Sequence, residues 1–222
     1  MYLKIHNEGW VFLLSILILS FIFLPFFPIL SLFLLILSFF IYYFFRDPIR
    51  TIPKENVIIS PADGMITSIG ESHPPKEINI EGKFLKISIF LSIFDVHVNR
   101  IPISGVIKKI NYISGNFFNA QLDKSSDKNE RNIISMEVKN KNKLIFVQIA
   151  GLIARRIVSN LDLNQKVNLG DRFGLIKFGS RVDLYIPKNI KLHVYKGQKV
   201  KGGETIFGDL ENNLDTMGIE KK

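Results

Sequence analysis

The sequence predicts a mostly β soluble domain, α+β in class with few short helices and sandwich- or barrel-like, behind an N-terminal hydrophobic α-hairpin. Three observations predict it. From Gly9 to Phe45 no residue is charged and nearly every position is apolar. Beyond residue 56 the pattern changes to short alternating segments separated by turn residues. Near the end, Gly197 and Gly202-Gly203 punctuate short apolar pieces as paired turns.

Residues 1–45 read as a membrane anchor of two short hydrophobic helices. One straight helix of that length would run roughly 55 Å, against a hydrocarbon core of about 30 Å. Pro25-Phe26-Phe27-Pro28 interrupts the run near its middle, so two arms joined there fit better. Each arm is short for a crossing, and full crossing and a shallow re-entrant hairpin both stay open. Lys4 precedes the run and Arg46, Arg50 and Lys54 follow it, which suits both ends on the cytoplasmic side. The run is too long for a signal-peptide core and lacks a small-residue cleavage site.

Residues 46–56, with Pro48 and Pro53, read as a linker, and 57–222 as the soluble domain. Its expected strands are Val57 to Ser60, Met65 to Ile69, Phe84 to Ser92, Gly105 to Ile113, Ile133 to Val138, Leu144 to Ile149, Gly174 to Phe178 and Val182 to Ile186. Gly151 to Leu161 has the spacing of a short helix, and Asp123 to Asn132 the composition of a surface loop. Val194 to Ile206 resembles the hammerhead turns of biotinyl- and lipoyl-type domains, without the modified-lysine pattern at its tip. The tail from Glu211 is polar and expected to fray.

The chain of 222 residues contains no cysteine, which excludes disulfides, thiolate nucleophiles and cysteine-bound metals. Its net charge of +9 beside an apolar anchor points to an anionic lipid surface. The lysines and arginines are scattered with no aromatic stacking motif, so nucleic acid is not an expected partner.

One dipeptide carries a chemical option. Gly179-Ser180 sits between two strand segments, where a glycine admits unusual backbone angles beside a hydroxyl. A serine facing its preceding carbonyl can attack it, convert the amide to an ester, and cut the chain by β-elimination, leaving a pyruvoyl group at residue 180. The bland reading of the pair is a turn. Such a hydroxyl needs a base, and the chain has four histidines, His6, His73, His97 and His193. His6 lies at the membrane edge, His73 in a loop before two prolines, and His193 on an alternating strand as a solvated residue. His97 stands apart, because a hydrophobic strand there acquires Asp95, His97, Asn99 and Arg100. The alternative is a hydrogen-bonded core histidine. Pro61-Ala62-Asp63-Gly64 presents a carboxylate, either as a plain Asp-Gly turn or as the orienting partner of a histidine.

These segments, taken in order, resemble the short-form, pyruvoyl-dependent phosphatidylserine decarboxylase proenzymes. The matches are Phe44-Phe45-Arg46-Asp47-Pro48, Pro61-Ala62-Asp63-Gly64, Phe94-Asp95-Val96-His97-Val98-Asn99-Arg100 and Gly115-Asn116-Phe117-Phe118-Asn119-Ala120. They continue with Asn129-Glu130-Arg131-Asn132, Ala150-Gly151-Leu152-Ile153-Ala154-Arg155-Arg156-Ile157, Gly170-Asp171-Arg172-Phe173-Gly174 and Phe178-Gly179-Ser180-Arg181-Val182-Asp183.

The resemblance implies autocatalytic cleavage between Gly179 and Ser180 into a β subunit, 1–179, and an α subunit, 180–222, that stay together. It implies decarboxylation of phosphatidylserine to phosphatidylethanolamine through a Schiff base with the Ser180-derived pyruvoyl group, with neither pyridoxal phosphate nor metal. By the same resemblance Asp63 and His97 assist Ser180. Longer bacterial members carry a second histidine where Arg100 stands, so the division of labour at His97 between cleavage and decarboxylation stays open. Arg155, Arg156 and Arg181 are candidates to hold the substrate's phosphate or carboxylate, with surface solubility as the alternative. Phe117 and Phe118 are read either as dipping toward acyl chains or as core. The expected location is a bacterial cell membrane with the catalytic domain cytoplasmic; assembly above the αβ pair and acyl preference stay open. Two other readings compete. One is a decarboxylase of a different serine phospholipid, separated by comparing turnover on both lipids. The other is a non-enzymatic, membrane-anchored carrier or adaptor, which would remain one chain and not need Ser180.

Overall fold

The computed structural model describes residues 4–54, 56–115, 129–151, 156–177 and 180–210. Strands β1 (Lys4–Ile5) and β2 (Arg46–Asp47) pair antiparallel at the base of a hairpin formed by α1 (Asn7–Phe23) and α2 (Pro28–Phe44). His6 caps α1, its Nδ1 accepting the Glu8 N–H at 3.3 Å. Pro28 opens α2, where a missing N–H costs nothing. The hydroxyls of Ser20 and Ser31, 3.1 Å apart, join the two helices. Gly9 lets the base close: a Cβ there would stand 2.5 Å from Phe45 Cβ. Each helix has 17 residues, about 25 Å of rise. Among the described residues no helix is long and apolar enough to cross a membrane.

The segment expected as a linker is tied down at its start. Asp47 is 3% exposed and accepts Arg172 Nε at 2.8 Å and Arg100 Nη2 at 3.4 Å. Arg100 also donates to the Gly170 and Pro48 carbonyls, so it fastens the hairpin base to the β domain.

Beyond it follow β3 (Val57–Ile59), β4 (Gly64–Ser72), β5 (Phe84–Leu91), β6 (Val98–Arg100), β7 (Gly105–Ile113), β8 (Arg131–Glu137) and β9 (Lys143–Ala150). Next come β10 (Ile157–Ser159), β11 (Lys166–Val167), β12 (Arg172–Ile176), β13 (Ser180–Ile186), β14 (Lys199–Val200) and β15 (Ile206–Asp209). One antiparallel sheet runs β11-β7-β8-β9-β13-β5-β4-β14, a second β10-β12-β6, and β15 pairs with β3. The mostly β architecture behind a helical pair is the one the sequence predicts.

Strand β13 lies mid-sheet between β9 and β5, and its alternation sorts the two faces. Val182, Leu184 and Ile186 enter the main core with Ile87, Ile89, Leu91, Phe146 and Phe173. Tyr185 faces the other side, in a smaller cluster with Ile78, Ile133 and Val147.

Three expectations change. Ile157–Ser159, inside the segment expected to be helical, is a strand paired with β12; residues 152–155 lie outside the described set. Asn129 to Asn132, expected at the surface, is buried, because its polar groups serve interior backbone: Asn129 Nδ2 donates to the Ala150 carbonyl at 2.7 Å and Glu130 Oε1 accepts the Ile157 N–H at 3.0 Å. Residues 123–128, Phe117 and Phe118 lie outside the described set. His193 is exposed as expected, but outside any strand. Around the C-terminal turns, Gly197 and Gly203 hold φ of +89° and +87°, conformations that suit glycine.

Candidate active site

Ser180 is the first residue of β13, with Leu91 on one neighbouring strand and Ala150 on the other. It is fully buried, and among the described residues its Oγ has no hydrogen-bond partner. An unpartnered hydroxyl in a core costs about 1–3 kcal/mol relative to a satisfied one, which marks it as a candidate reacting group. Gly179 lies outside the described residues.

His97 leads into β6, and its carbonyl accepts the Ile176 N–H at 3.4 Å at the end of β12, just ahead of Ser180 in the chain. A turn precedes it, in which Asp95 Oδ2 accepts both the N–H and the hydroxyl of Ser92, at 2.8 and 2.7 Å. That turn aims the Asp95 carbonyl at His97 Nδ1, 3.0 Å away. A carbonyl only accepts, so Nδ1 carries the proton and Nε2 presents its lone pair. Nε2 is buried and has no hydrogen-bond partner among the described residues. Burial depresses the imidazole pKa to about 4, against smaller upward pulls from Asp95. The ring packs on Phe44 with centroids 4.2 Å apart, so the last turn of α2 forms one wall. Phe44 and Phe45 join Val96, Val98 and Leu175 in a second core cluster.

Asp63 is not bonded to His97. Its Oδ2 takes Arg50 Nη2 at 2.7 Å and its Oδ1 takes the Gly202 N–H at 2.7 Å. Burial raises its pKa, and the Arg50 charge only partly offsets this. The Asp63 turn lies beside β6, where the Arg100 N–H donates to the Pro61 carbonyl at 2.9 Å. Arg50 had no signal in the sequence beyond the basic flank of the hairpin.

The candidate arginines divide. Arg181 is buried on the opposite face of β13, its Nε and Nη2 both 2.7 Å from the Asp183 carboxylate. Arg156 is exposed, and its carbonyl accepts the Lys177 N–H at 3.2 Å. Arg155 lies outside the described residues. Lys177, unmarked in the sequence, pairs with Glu8 of α1 at 2.8 Å and ties the approach to Ser180 to the hairpin.

A further amide belongs to the constellation. Asn99 Oδ1 accepts from Gln148 Nε2 at 2.9 Å, and Gln148 Oε1 accepts from Asn132 Nδ2 at 3.1 Å. Asn99 Nδ2 is buried, with no hydrogen-bond partner among the described residues. Among the described residues no group of acidic or histidine side chains is arranged to hold a metal ion.

With Ser180, His97 and Asp63 placed, comparison with known proteins fits the same segments. The family model for phosphatidylserine decarboxylase matches residues 37–208. The chain belongs to the phosphatidylserine decarboxylase family. A phosphatidylserine decarboxylase proenzyme of Rickettsia typhi is 47% identical over 221 residues, covering 98% of this chain and 96% of that one. One from Rickettsia akari is 48% identical over 207 residues, covering 92% and 90%. The decarboxylase match begins in the second half of α2 and runs into β15, and so includes Phe44, Asp63, His97 and Ser180.

Proposed function

We propose that the chain is a self-processing phosphatidylserine decarboxylase that forms its own pyruvoyl group from Ser180. The observation that carries this is the pair of buried, unpartnered atoms, Ser180 Oγ and His97 Nε2, in a chain of this family. A group made from residue 180 fits: the hydroxyl is already withdrawn from water and from every competing partner.

His97 Nε2 takes the Ser180 Oγ proton as Oγ attacks the preceding carbonyl. The amide becomes an ester and the Ser180 nitrogen becomes a free amine. Loss of the Cα proton then breaks the Cβ–Oγ bond and frees residue 179 as a carboxylate. Hydrolysis of residue 180 releases ammonia and completes the pyruvoyl terminus. That group supplies an electron sink for the carbanion left when an amine-bearing carboxylate loses carbon dioxide. His97 Nε2 is the chain's proton carrier at that position, and Phe44 keeps water from it. Asp63, held by Arg50 and Gly202, supports the geometry near Asp95 and His97.

The apolar hairpin places this chemistry at a lipid surface. Phe26 and Ile29 at its tip are 72% and 86% exposed, an apolar patch of the kind that marks membrane contact. Phe94, beside the site and packed edge-on to Phe40, is also exposed. Arg46, over the Tyr43 ring at 3.8 Å, adds a cation at headgroup depth.

Intact mass under denaturing conditions tests the reading. Two fragments split at 179/180, the smaller bearing a pyruvoyl mass, are expected, with phosphatidylethanolamine and carbon dioxide as products. Ser180→Ala should give one uncut chain without activity. Normal cutting of that variant would overturn the scheme.

A further inference from the structure

The chain between β4 and β5 does more than connect neighbouring strands. Residues 73–83 cross, as a strap, the sheet face that bears Tyr185. Ile78 packs there with Ile133 of β8, Val147 of β9 and Tyr185 of β13. Farther over, Lys109 Nζ of β7 donates to the Ile78 carbonyl at 3.0 Å, and Asn111 Nδ2 to the Glu77 carbonyl at 3.2 Å. The Glu77 carboxylate pairs with Arg131 of β8. Pro74 and Pro75 stiffen the strap where it leaves β4. Between strap and sheet lies a cavity of about 550 Å³, lined on the sheet side by residues of β5, β8, β9 and β13. That is the size of a small-molecule site. It lies against Asp183 and Tyr185, the face of β13 opposite Ser180.

The charges around this cavity do not cancel. Asp183, on its floor, is 1% exposed and is held by Arg181 through both carboxylate oxygens, each at 2.7 Å. Lys86 Nζ approaches the same carboxylate at 3.1 Å, with its side chain 17% exposed, so one anion serves two cations. Glu77 is matched by Arg131, and Lys76, exposed on the strap, also lines the cavity. Among the described residues lining the cavity and their ion-pair partners, Lys76, Lys86, Arg131 and Arg181 therefore outnumber Glu77 and Asp183 by two. A cleft with such a surplus concentrates anions. A phosphate monoester carries a charge between about −1.5 and −2 at pH 7, which matches the surplus; a single carboxylate does not. Lysine ammonium groups meet phosphate as point charges, and Val147 and Ile149 beside them offer apolar surface to a short carbon body.

We propose that the cleft under the strap is a second binding site, for a small soluble phosphate monoester whose charge is met by Lys86 and Lys76. It stands apart from the candidate active site and does not depend on cutting at Ser180.

The probe is glycerol 3-phosphate, titrated into the full-length chain in mild detergent and followed by calorimetry and thermal melting. Saturable binding is expected, with a midpoint raised by about 5–10 °C once the ligand stands 100-fold above its dissociation constant. The Ser180→Ala chain should bind equally well. Lys86→Met keeps the stem and removes the charge, and should weaken binding at least about ten-fold, the effect of one lost charge-assisted contact. Lys76→Met should weaken it by a smaller factor, and serves alone should Lys86→Met lose its cooperative melt. Acetate, with one charge, should bind more weakly than the ester. No saturable response in the wild-type chain, loss of binding in Ser180→Ala, or wild-type affinity in the folded lysine variants would overturn the proposal. A Lys86-dependent response to phosphatidylglycerol vesicles, with none to glycerol 3-phosphate, would put the phosphate on a lipid headgroup and overturn the soluble ligand.

Discussion

The proposed chemistry asks His97 to be buried and basic at once, and its surroundings reconcile the two. Desolvation keeps it neutral down to about pH 4, while the Asp95 carbonyl holds the proton on Nδ1 and leaves Nε2 free. Two outcomes follow. Cutting that depends on neutral His97 should be nearly flat from pH 8 to about 5 and fall toward pH 4. Stability should follow a related rule: between pH 6.5 and about 4 the unfolded chain binds a proton at residue 97 that the folded chain does not. Stability is therefore lost as pH falls through that window, by on the order of 3 kcal/mol at its lower end. Thermal melts in detergent at pH 7 and 4.5, in the uncut Ser180→Ala background, should show a smaller drop when His97→Gln is added. Equal drops would mean that the imidazole is not held neutral. At this scale the burial of Ser180 and His97 with unpartnered atoms falls on residues the sequence singled out because polar types interrupt apolar segments there, whereas Asp63, singled out in a turn as a partner for a histidine, bonds Arg50 and Gly202 instead. Arg50, Gln148 and Phe44 were not legible, since each acquires its role from a partner far along the chain: Arg50 with Asp63, Gln148 with Asn99, Phe44 with His97. No local pattern records such pairings.

Among the elements, β13 decides what cutting does to the molecule. Its residues Ser180–Ile186 are registered against Leu85–Leu91 on one side, and Ser180–Tyr185 against Ile145–Ala150 on the other. Farther along, β14 pairs with β4 and β15 with β3. All three strands described in the C-terminal piece thus have partners in the N-terminal one, and Val182, Leu184, Ile186 and Phe207 lie in the shared core. The fragments should therefore co-elute on gel filtration in mild detergent and separate only where the fold unfolds. Separation without denaturant would contradict the pairing. Leu184→Ala should cost about 2–5 kcal/mol and lower the denaturant midpoint for separation. Long strands such as β7 and β9 were legible, β7 from partial alternation and β9 as a short, nearly continuous apolar run. Ile157–Ser159 was not, because three residues hold too little of any period, and Leu152, Ile153, Ile157 and Leu161 imitate a helical one. Polar Asn129 to Asn132 was misplaced for the opposite reason, since composition reports the average surface residue rather than one satisfying backbone groups in a core.

For the whole molecule, the hairpin is a wall of the site and, in the function proposed, the part that meets lipid. Its base shares a core with Val96, Val98 and Leu175, and Glu8–Lys177 and Asp47–Arg172 fasten it to the β domain. Its length and turn were legible from hydrophobicity and the paired prolines; this docking was not, because one Asp in a linker does not announce two arginines across the fold. With 17-residue helices, shorter than a hydrocarbon core needs, the hairpin suits insertion from one side with its base at headgroup level. The chain's single tryptophan reports on that. Trp10 lies in the first turn of α1, near the base, and is 46% exposed. Amphipathic indole rings favour the membrane interface. On transfer from mild detergent into vesicles containing anionic phospholipid, Trp10 emission should match an interfacial depth. Lipids brominated near the headgroup should quench it more than lipids brominated at the chain ends. Placing charges at the tip with Phe26→Asp and Ile29→Asp should abolish vesicle co-sedimentation while leaving Ser180 cutting intact, since the tip is remote from the site. Stronger quenching from the bilayer centre would place the base too deep for this orientation, and undiminished co-sedimentation of the doubly charged variant would show that the tip does not enter lipid.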